Sequence, residues 1–310
     1  MNQPSPHTKE QSEGQTKEQA EDKHTFTPTI LITGVSSGIG QSTARYLVNQ
    51  GYRVFGSVRR QDDAASLQSE LGSTFTPLIF DVSDSVAVVQ AIGTMAQELD
   101  STPLAGLINN AGIAALGPME CLDDDQFEQS LRVNVIGTRY VINACLPLLR
   151  GKTGTAMAAL YKPGKIINIS SLSGIINTPV SGAYCVSKHA VESLGEIYRR
   201  ELLPQGIDVV SIRSGPVASE IWNKNQSDNI VSCADSLYDN MIAKAGKIIQ
   251  DAQRHAIPAT VIATLIDEIL KGKKRKTHYE LGRGATLSKL LRYLPDRWVD
   301  RMIVRSMSSP

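Results

Sequence analysis

The sequence lacks several features that would assign it to a class at once. Its four cysteines (Cys121, Cys145, Cys185 and Cys233) form no C-x-x-C pair, and with the five histidines they show no metal-ligand spacing. We therefore expect reduced, mostly structural thiols in a reducing compartment, and no metal site. No apolar run approaches the roughly 18 residues that span a bilayer, and the N-terminus lacks the apolar core of a signal peptide. These absences predict a cytoplasmic protein.

A strong overall charge is also missing. The formal net charge is +1 over 310 residues, so no global field favours nucleic acid as a partner. Residues 1–24 contain no Val, Ile, Leu, Phe, Trp, Tyr or Cys. Such a segment cannot bury enough apolar surface to offset its ordering entropy, and we expect a disordered tail over residues 1–27.

After the tail, short β-branched runs alternate with helical patterns. The strand-like runs are 29–33, 53–58, 77–80, 104–108, 165–169, 207–212 and 277–281, and the helical patterns fall near 38–50, 84–99, 123–149, 182–203 and 258–271. This alternation predicts an α/β protein with a parallel sheet of about seven strands, flanked by helices on both faces.

The first strand-like run leads directly into a glycine-rich turn and then a helical pattern. The turn contains Gly34, Ser36, Ser37, Gly38, Ile39 and Gly40, in the spacing Gly-x-x-x-Gly-x-Gly. A strand, a glycine turn and a helix start together place a phosphate on a helix N-terminus, as in a doubly wound Rossmann-type fold. An ordinary turn between a strand and a helix is the alternative interpretation.

A second motif joins a phenol to an ammonium group. Tyr184 and Lys188 are four residues apart, about one helical turn, and Ser171 lies thirteen residues before the tyrosine. A cation beside a phenol favours the phenolate and lowers its pKa toward the neutral range, where it can act in acid–base chemistry. The alternative is a partly buried ring beside a solvated amine.

Taken in order, these motifs carry a resemblance to a known family. Thr33–Gly40, Asn109-Asn110-Ala111-Gly112, Ser171 and Tyr184-x-x-x-Lys188 resemble the short-chain dehydrogenase/reductase family over roughly residues 28–282, most of the chain. The sequence around Tyr184 is similar to that of retinol- and hydroxysteroid-dehydrogenase-like members. The resemblance implies one Rossmann-type domain over residues 28–284, a substrate loop near 219–257 and a C-terminal helical extension over 285–310.

The resemblance also implies the chemistry. Tyr184 would exchange the proton, Lys188 would lower the pKa of the phenol and bind the nicotinamide ribose, and Ser171 would donate to the substrate oxygen. Asn134 matches the family residue that holds a water-linked proton path to the lysine; a locally satisfied helix amide is the alternative.

Several positions bear on the cofactor. Strand 53–58 ends at Val58 and is followed by Arg59 and Arg60, where an acidic residue would bind a ribose 2′-hydroxyl. Guanidinium groups there favour NADP(H) over NAD(H), although solvated strand-end charges are the alternative. The resemblance places Asp81 and Val82 at the adenine, with a helix N-cap as the alternative for the aspartate. It also brings Asn110, Ala111 and Gly112 close to the cofactor, and Gly215, Val217 and Ser219 to the carboxamide.

The C-terminal half contains the residues that bear on the substrate and on partner surfaces. Ile221, Trp222, Leu237, Tyr238 and Met241 indicate an apolar pocket for a lipophilic carbonyl or alcohol, and helix packing is the other interpretation. Residues 271–310 form a basic amphipathic segment that packs on its own domain, on a second subunit in the homo-oligomer that we expect, or on an anionic membrane. The predicted function is an NADP(H)-dependent oxidoreductase. The alternative is a catalytically silent dinucleotide-binding sensor.

Overall fold

The computed structural model describes residues 27–100, 102–150, 162–218, 230–231, 233 and 236–308. Most of the predicted N-terminal tail, Ser219 and the part of the predicted substrate loop that holds Ile221 and Trp222 therefore lie outside the described residues.

One parallel sheet forms the centre of the described structure. Its strands are β1 (Thr29–Ile32), β2 (Arg53–Val58), β3 (Phe75–Ile79), β4 (Leu104–Asn109), β5 (Lys165–Ser171), β6 (Asp208–Ser214) and β7 (His278–Leu281). Their order across the sheet is β3-β2-β1-β4-β5-β6-β7, and every pairing is parallel. The predicted seven-stranded α/β fold is confirmed.

The helices connect successive strands and continue beyond the sheet. They are α1 (Gly38–Asn49), α2 (Gln61–Leu71), α3 (Ser85–Leu99), α4 (Asp124–Leu131), α5 (Thr138–Arg150), α6 (Gly182–Leu202), α7 (Asp239–Arg254), α8 (Ala259–Leu270), α9 (Ala285–Leu291) and α10 (Asp296–Ser308). The C-terminal helices that the sequence predicted are present.

The apolar side chains of the strands alternate between two cores. Ile30 and Ile32 of β1 pack with α1, α2 and α8, whereas Leu31 between them packs with α3, α5 and α6. All three side chains are fully buried, because successive side chains of a strand point to opposite faces and here both faces are covered. The β-branched runs are therefore the physical basis of the layered fold.

Three helical regions differ from the sequence prediction. The expected helix over 123–149 is divided by a π-helical turn at Arg132–Gly137. Helix α2 was not predicted, because its only large apolar side chains are Leu67 and Leu71 and the pattern is short. Helix α7 occupies much of the segment expected to be a substrate loop.

The cysteine prediction was wrong for two of the four residues. The structure joins Cys121 and Cys233 in a disulfide, with Cα atoms 5.4 Å apart, while Cys145 and Cys185 are free and buried. The two bonded residues are 112 positions apart in sequence, so their spacing carries no signature and the fold alone brings them together. In the part of the chain that the structure describes, no helix combines the length and apolar character that a membrane span requires.

Strand order also determines where a ligand can bind. β1 lies between β2 and β4. The strands that follow β1 first extend the sheet on one side, as β2 and β3, and then on the other side, from β4 to β7. The loops after β1 and β4 diverge at this point and leave a crevice at the carboxyl ends of the strands. A cavity of about 590 Å³ occupies this crevice, within the usual range for small-molecule sites.

Candidate active site

Hydrogen bonds to neighbouring segments fix the position of the glycine turn after β1. Thr33 Oγ1 accepts hydrogen bonds from the backbone amides of Asn110 and Ala111, both 3.0 Å, and the Asn110 side chain donates to the Gly34 carbonyl at 2.8 Å. The Gly34 amide donates to Ser57 Oγ at 2.9 Å. These contacts connect the turn after β1 to the loop after β4 and to β2.

Two features of this turn suit a phosphate group. Gly34 and Gly38 have φ values of 70° and 62°, which L side chains rarely adopt. A methyl group at Gly40 would overlap the Gly34 carbonyl oxygen and the Asn110 amide. Ser37, the N-cap of α1, makes no side-chain cap bond, so the first amides of the helix can donate to an anion.

The two arginines after β2 have different surroundings. Arg60 is exposed and pairs with Asp62 at 3.3 Å. Arg59 lines the cavity and makes no ion pair with any described residue. A guanidinium at the cavity rim with its donors available suits a phosphate better than a solvated strand-end charge does.

The predicted adenine contacts lie on the same rim. Asp81 Oδ1 accepts bonds from the Ser83 amide at 2.8 Å and the Ser83 hydroxyl at 2.7 Å. The helix N-cap interpretation of Asp81 was wrong, since Asp84 caps α3 by accepting from the amides of Val86 and Ala87. Both Asp81 and its neighbour Val82 line the cavity.

The three predicted catalytic side chains converge. Ser171 ends β5, where its hydroxyl accepts from the Ser173 amide at 3.1 Å, and it lies near enough to the Tyr184 phenol to lower the pKa of that phenol. Lys188 follows one turn later on α6, with Nζ 5.6 Å from the centre of the Tyr184 ring and donating to the Ile169 carbonyl at 3.0 Å. All three line the cavity, and the tyrosine and the lysine are each less than one-tenth exposed.

Burial controls the ionisation of this group. It raises the pKa of Tyr184 to about 12, although the nearby Ser171 hydroxyl acts in the opposite direction. It lowers the pKa of Lys188 to about 8, against the attraction of the Glu192 carboxylate. The fall in the phenol pKa that the sequence suggested is therefore not found in the protein alone, because desolvation outweighs the stabilising contacts.

Asn134 is buried within the π-helical turn, and both donors of its side chain are bonded. Its amide nitrogen donates to the Ile113 carbonyl and to Ser187 Oγ, both at 2.9 Å, and its side-chain oxygen accepts from the Ile113 amide at 2.8 Å. Asn134 therefore fixes the loop after β4 against α6. Gly112 belongs to that loop, and a Cβ there would lie 3.1 Å from Asn134 Oδ1 and 3.8 Å from Lys188 Nζ.

The segment after β6 forms the opposite rim of the cavity. The Ala218 amide donates to the Ile257 carbonyl at 2.9 Å, and the Ile257 amide donates to the Pro216 carbonyl at 3.0 Å. This bridge does not use the backbone groups of Val217, which lines the cavity beside Gly215. The predicted contact of Ser219 lies outside the described residues.

An apolar wall lines one part of the cavity. Leu116, Val180, Ile230, Ala245 and Met307 form a small buried cluster, against which Met241, Ile242, Ile249 and Ile303 pack. Packing of the C-terminal segment on its own domain was one of the interpretations of the sequence, but the position of α10 at the cavity was not predicted, since an amphipathic pattern shows an apolar face and not its partner. Leu237, predicted for the pocket, is instead 84 % exposed. Tyr238 donates to Glu120 at 2.7 Å.

A buried ion-pair cluster behind α6 was also missed. Arg213 donates to Glu192 Oε2 through Nε and Nη2, at 2.9 and 2.7 Å, and to Glu280 at 3.2 Å. Lys289 of α9 pairs with Glu280 at 2.9 Å. Glu192 lies one turn after Lys188 on the same helix, a spacing of four residues that could have suggested their interaction.

Comparisons with known proteins agree with this geometry. The family model for short chain dehydrogenase matches residues 28–230. The chain is 34% identical over 278 residues to an NADPH-dependent 3-dehydrocapnine reductase of Ornithobacterium rhinotracheale, covering 89% of this chain and 96% of that protein. It is 29% identical over 294 residues to retinol dehydrogenase 5 of Mus musculus, covering 91% of this chain and 89% of the relative.

Two solved structures share the fold. A short-chain dehydrogenase from Streptomyces avermitilis superposes with a TM-score of 0.73 at 21% identity, over 90% of this chain and 97% of the other. A short chain dehydrogenase from Burkholderia cenocepacia in complex with NADP gives a TM-score of 0.67 at 20% identity, over 92% and 98%.

Proposed function

The chain belongs to the short-chain dehydrogenase family and is an oxidoreductase of CH–OH groups; we propose that it uses NADP(H) and interconverts a lipophilic ketone and its secondary alcohol. One observation carries the proposal: Ser171, Tyr184 and Lys188 meet at one end of a cavity whose other end is the glycine turn. A silent sensor would have no need of this convergence, which is the reason for preferring an enzyme.

The residues of the cavity fit a pyridine dinucleotide, which when bound supplies or accepts the hydride. The first amides of α1 would hold the pyrophosphate, and Asp81 and Val82 would contact the adenine. Arg59 would pair with the 2′-phosphate, which distinguishes NADP(H) from NAD(H). The NADPH dependence of the 3-dehydrocapnine reductase relative supports this preference. The backbone groups of Val217, which take no part in the bridge to Ile257, would bind the carboxamide.

The proton would move at the Tyr184 hydroxyl. Because burial raises the pKa of Tyr184 to about 12, the phenol keeps its proton at neutral pH and can donate it to a carbonyl oxygen in the reductive direction. The Ser171 hydroxyl would donate to the same oxygen as negative charge develops on it. Lys188, held by the Ile169 carbonyl, would bind the ribose and favour the phenolate after transfer.

The proposal also includes a water-linked proton path through Asn134, and the contacts of this residue limit which of its atoms could hold the water. Both amide hydrogens of its side chain are donated, to the Ile113 carbonyl and to Ser187 Oγ, so the side chain has no N–H left for a water. A water on the path would therefore donate to Asn134 Oδ1, which accepts from the Ile113 amide and has a second lone pair.

The apolar wall supports a lipophilic substrate. Ile113, Leu116, Val180, Ile249 and Met307 line the cavity beyond the catalytic groups. Side chains of this kind bind hydrocarbon and leave the carbonyl as the polar end. The names of the 3-dehydrocapnine reductase and retinol dehydrogenase relatives are consistent with a carbonyl or alcohol substrate.

Replacing Tyr184 by Phe tests the proposal. We expect NADPH oxidation with a panel of long-chain ketones to fall by at least ~100-fold, because the proton donor is lost while the ring remains. Tyr198→Phe is the matched control: it removes another buried hydroxyl from α6, one that donates to Asn143 at 2.6 Å. Turnover by Tyr184→Phe at the level of Tyr198→Phe would refute the assigned chemistry.

Three further expectations accompany this function. The catalytic domain would span residues 28–284 and the helical extension residues 285–310. A homo-oligomer stays a prediction that light scattering can test. A cytoplasmic location also stays a prediction; the Cys121–Cys233 disulfide argues against it, since such bonds persist mainly in oxidising compartments.

A further inference from the structure

The last two helices carry large apolar side chains on their outer surface. Leu287 and Leu290 of α9, Tyr293 of the connecting turn, and Trp298 and Met302 of α10 are between 49% and 85% exposed. Together with Arg292, Arg297 and Arg301, these residues are called the C-terminal face below. Five large apolar side chains with this exposure, within residues 287–302, indicate a surface that binds a partner.

Helix α10 has two distinct sides. Val299, Ile303 and Met307 recur every four residues, and of these Met307 is buried while Ile303 packs on the apolar wall of the cavity. Trp298 and Met302, one position earlier in each turn, point away from that wall and are exposed. Packing on its own domain therefore accounts for one side of the helix and leaves the other unexplained, because a surface helix ordinarily presents polar residues there.

The charge of this region is positive. Residues 285–308 contain five cations and two carboxylates, a net charge of +3 in a chain whose total is +1: Lys289, Arg292, Arg297, Arg301 and Arg305 against Asp296 and Asp300. Lys289 is paired with Glu280. Arg292, Arg297 and Arg301 are exposed, and none of them forms an ion pair with a described residue.

We propose that the C-terminal face docks on an anionic lipid bilayer, with its apolar side chains in the headgroup region and its arginines against lipid phosphates. Tyr and Trp are the residues that favour this boundary, since each has an apolar ring and a polar tip. Helices that combine such rings with Arg and Leu lie in the membrane plane. A second copy of the chain fits less well, because a two-fold contact through this face would oppose its positive charges.

Docking would bring the active site to the lipid surface. Ile303, Ser306 and Met307, on the inner side of the docked helix, line the cavity. If the substrate is the lipophilic ketone or alcohol proposed above, it would enter from the bilayer past α10. This consequence rests on the proposed function, whereas the docking itself does not.

Vesicle flotation of the full-length protein tests the docking without measuring turnover. We expect binding to phosphatidylcholine vesicles that contain phosphatidylglycerol, weaker binding at high salt, and little binding to phosphatidylcholine alone. The triple variant Arg292→Gln/Arg297→Gln/Arg301→Gln should lower the partition coefficient on the order of 100-fold, since each cation near an anionic surface contributes about fivefold. The corresponding Arg→Lys triple should retain binding, which separates loss of charge from loss of fold.

A matched control removes the same charge elsewhere. Lys273, Arg275 and Lys276 belong to another exposed basic stretch, and replacing all three by Gln should leave vesicle binding unchanged. Leu290→Ser/Trp298→Ser should weaken binding while the circular dichroism spectrum stays that of the wild type.

Three results would overturn the inference. The first is no binding of the wild type to phosphatidylglycerol vesicles. The second is equal loss in the two glutamine triples, which would indicate net charge rather than this face. The third is a wild-type oligomer in light scattering that Leu290→Ser/Trp298→Ser dissociates without affecting vesicle binding, since a second copy would then cover the face. An inactive but vesicle-bound protein would leave the docking intact and refute only the proposed activity.

Discussion

Replacing Lys188 by Met should abolish turnover and yet stabilise the fold at neutral pH. Burial lowers the pKa of Lys188 from 10.5 to about 8. At about 1.4 kcal/mol for each pH unit, keeping the buried ammonium charged costs about 3 kcal/mol of folding free energy. Removing it also leaves the Ile169 carbonyl without its 3.0 Å donor, a loss of about 1 kcal/mol. The expected net gain is therefore about 2 kcal/mol.

The pH dependence of the folding free energy would show that the buried charge of Lys188 causes this difference. Below pH 8 the lysine is charged in both the folded and the unfolded protein, so the cost is fully present. Between pH 8 and 10.5 the folded protein releases the proton while the unfolded chain keeps it, and the stability of the wild type rises with pH over that window. The methionine variant has no such contribution.

Urea unfolding at about pH 7 and about pH 9.5 measures both effects. The variant should exceed the wild type by about 2 kcal/mol at the lower pH, and the difference should fall close to zero at the higher pH. Lys247→Met, which removes an exposed ammonium from α7, is the control and should show neither effect. A variant that is less stable than the wild type near neutral pH, or a difference that is constant with pH, would refute the reasoning.

Three other substitutions address the cofactor and the ion-pair cluster. Arg59→Ala should weaken NADPH binding about 10- to 100-fold in calorimetric titration and NADH binding little, whereas Arg60→Ala should leave both nearly unchanged; equal losses for the two nucleotides would exclude the 2′-phosphate contact. Glu192→Gln should move the alkaline limb of kcat/KM to lower pH, because this carboxylate raises the pKa of the active-site lysine; an unmoved limb would contradict that coupling. Gly40→Ala should abolish cofactor binding by overlap with the turn, while Gly93→Ala, which meets nothing within 4 Å, should bind normally. Cofactor binding by Gly40→Ala would argue against the close packing of the turn.

The sheet could be predicted because burial on both faces leaves a direct trace in sequence. Runs such as 29–33 consist of apolar or β-branched residues, and each expected run became a strand within two residues of its expected ends. β3 begins two residues earlier than predicted. It contains Pro77, which is tolerated because β3 pairs on one side only, with β2.

The proximity of Tyr184 and Lys188 could be predicted for a different reason, since their spacing reflects helix geometry. Tyr184 and Lys188 lie on one face of α6 because four residues make about one turn. Their pKa values could not be predicted, because the degree of burial depends on the cavity walls. The Cys121–Cys233 bond and the contact of Glu192 with Arg213 also join distant parts of the chain, and such pairs leave no local pattern.

The ion-pair cluster behind α6 connects helix α9 to the surroundings of Lys188. Lys289 of α9 contacts Glu280, Glu280 contacts Arg213, and Arg213 contacts Glu192, one helical turn from Lys188. A deletion after residue 284 would spare every strand of the sheet. It would nevertheless remove Lys289, and the two carboxylates Glu192 and Glu280 would then share Arg213. Shortened versions of the protein are therefore expected to change the acid–base behaviour of Lys188 as well as the size of the pocket.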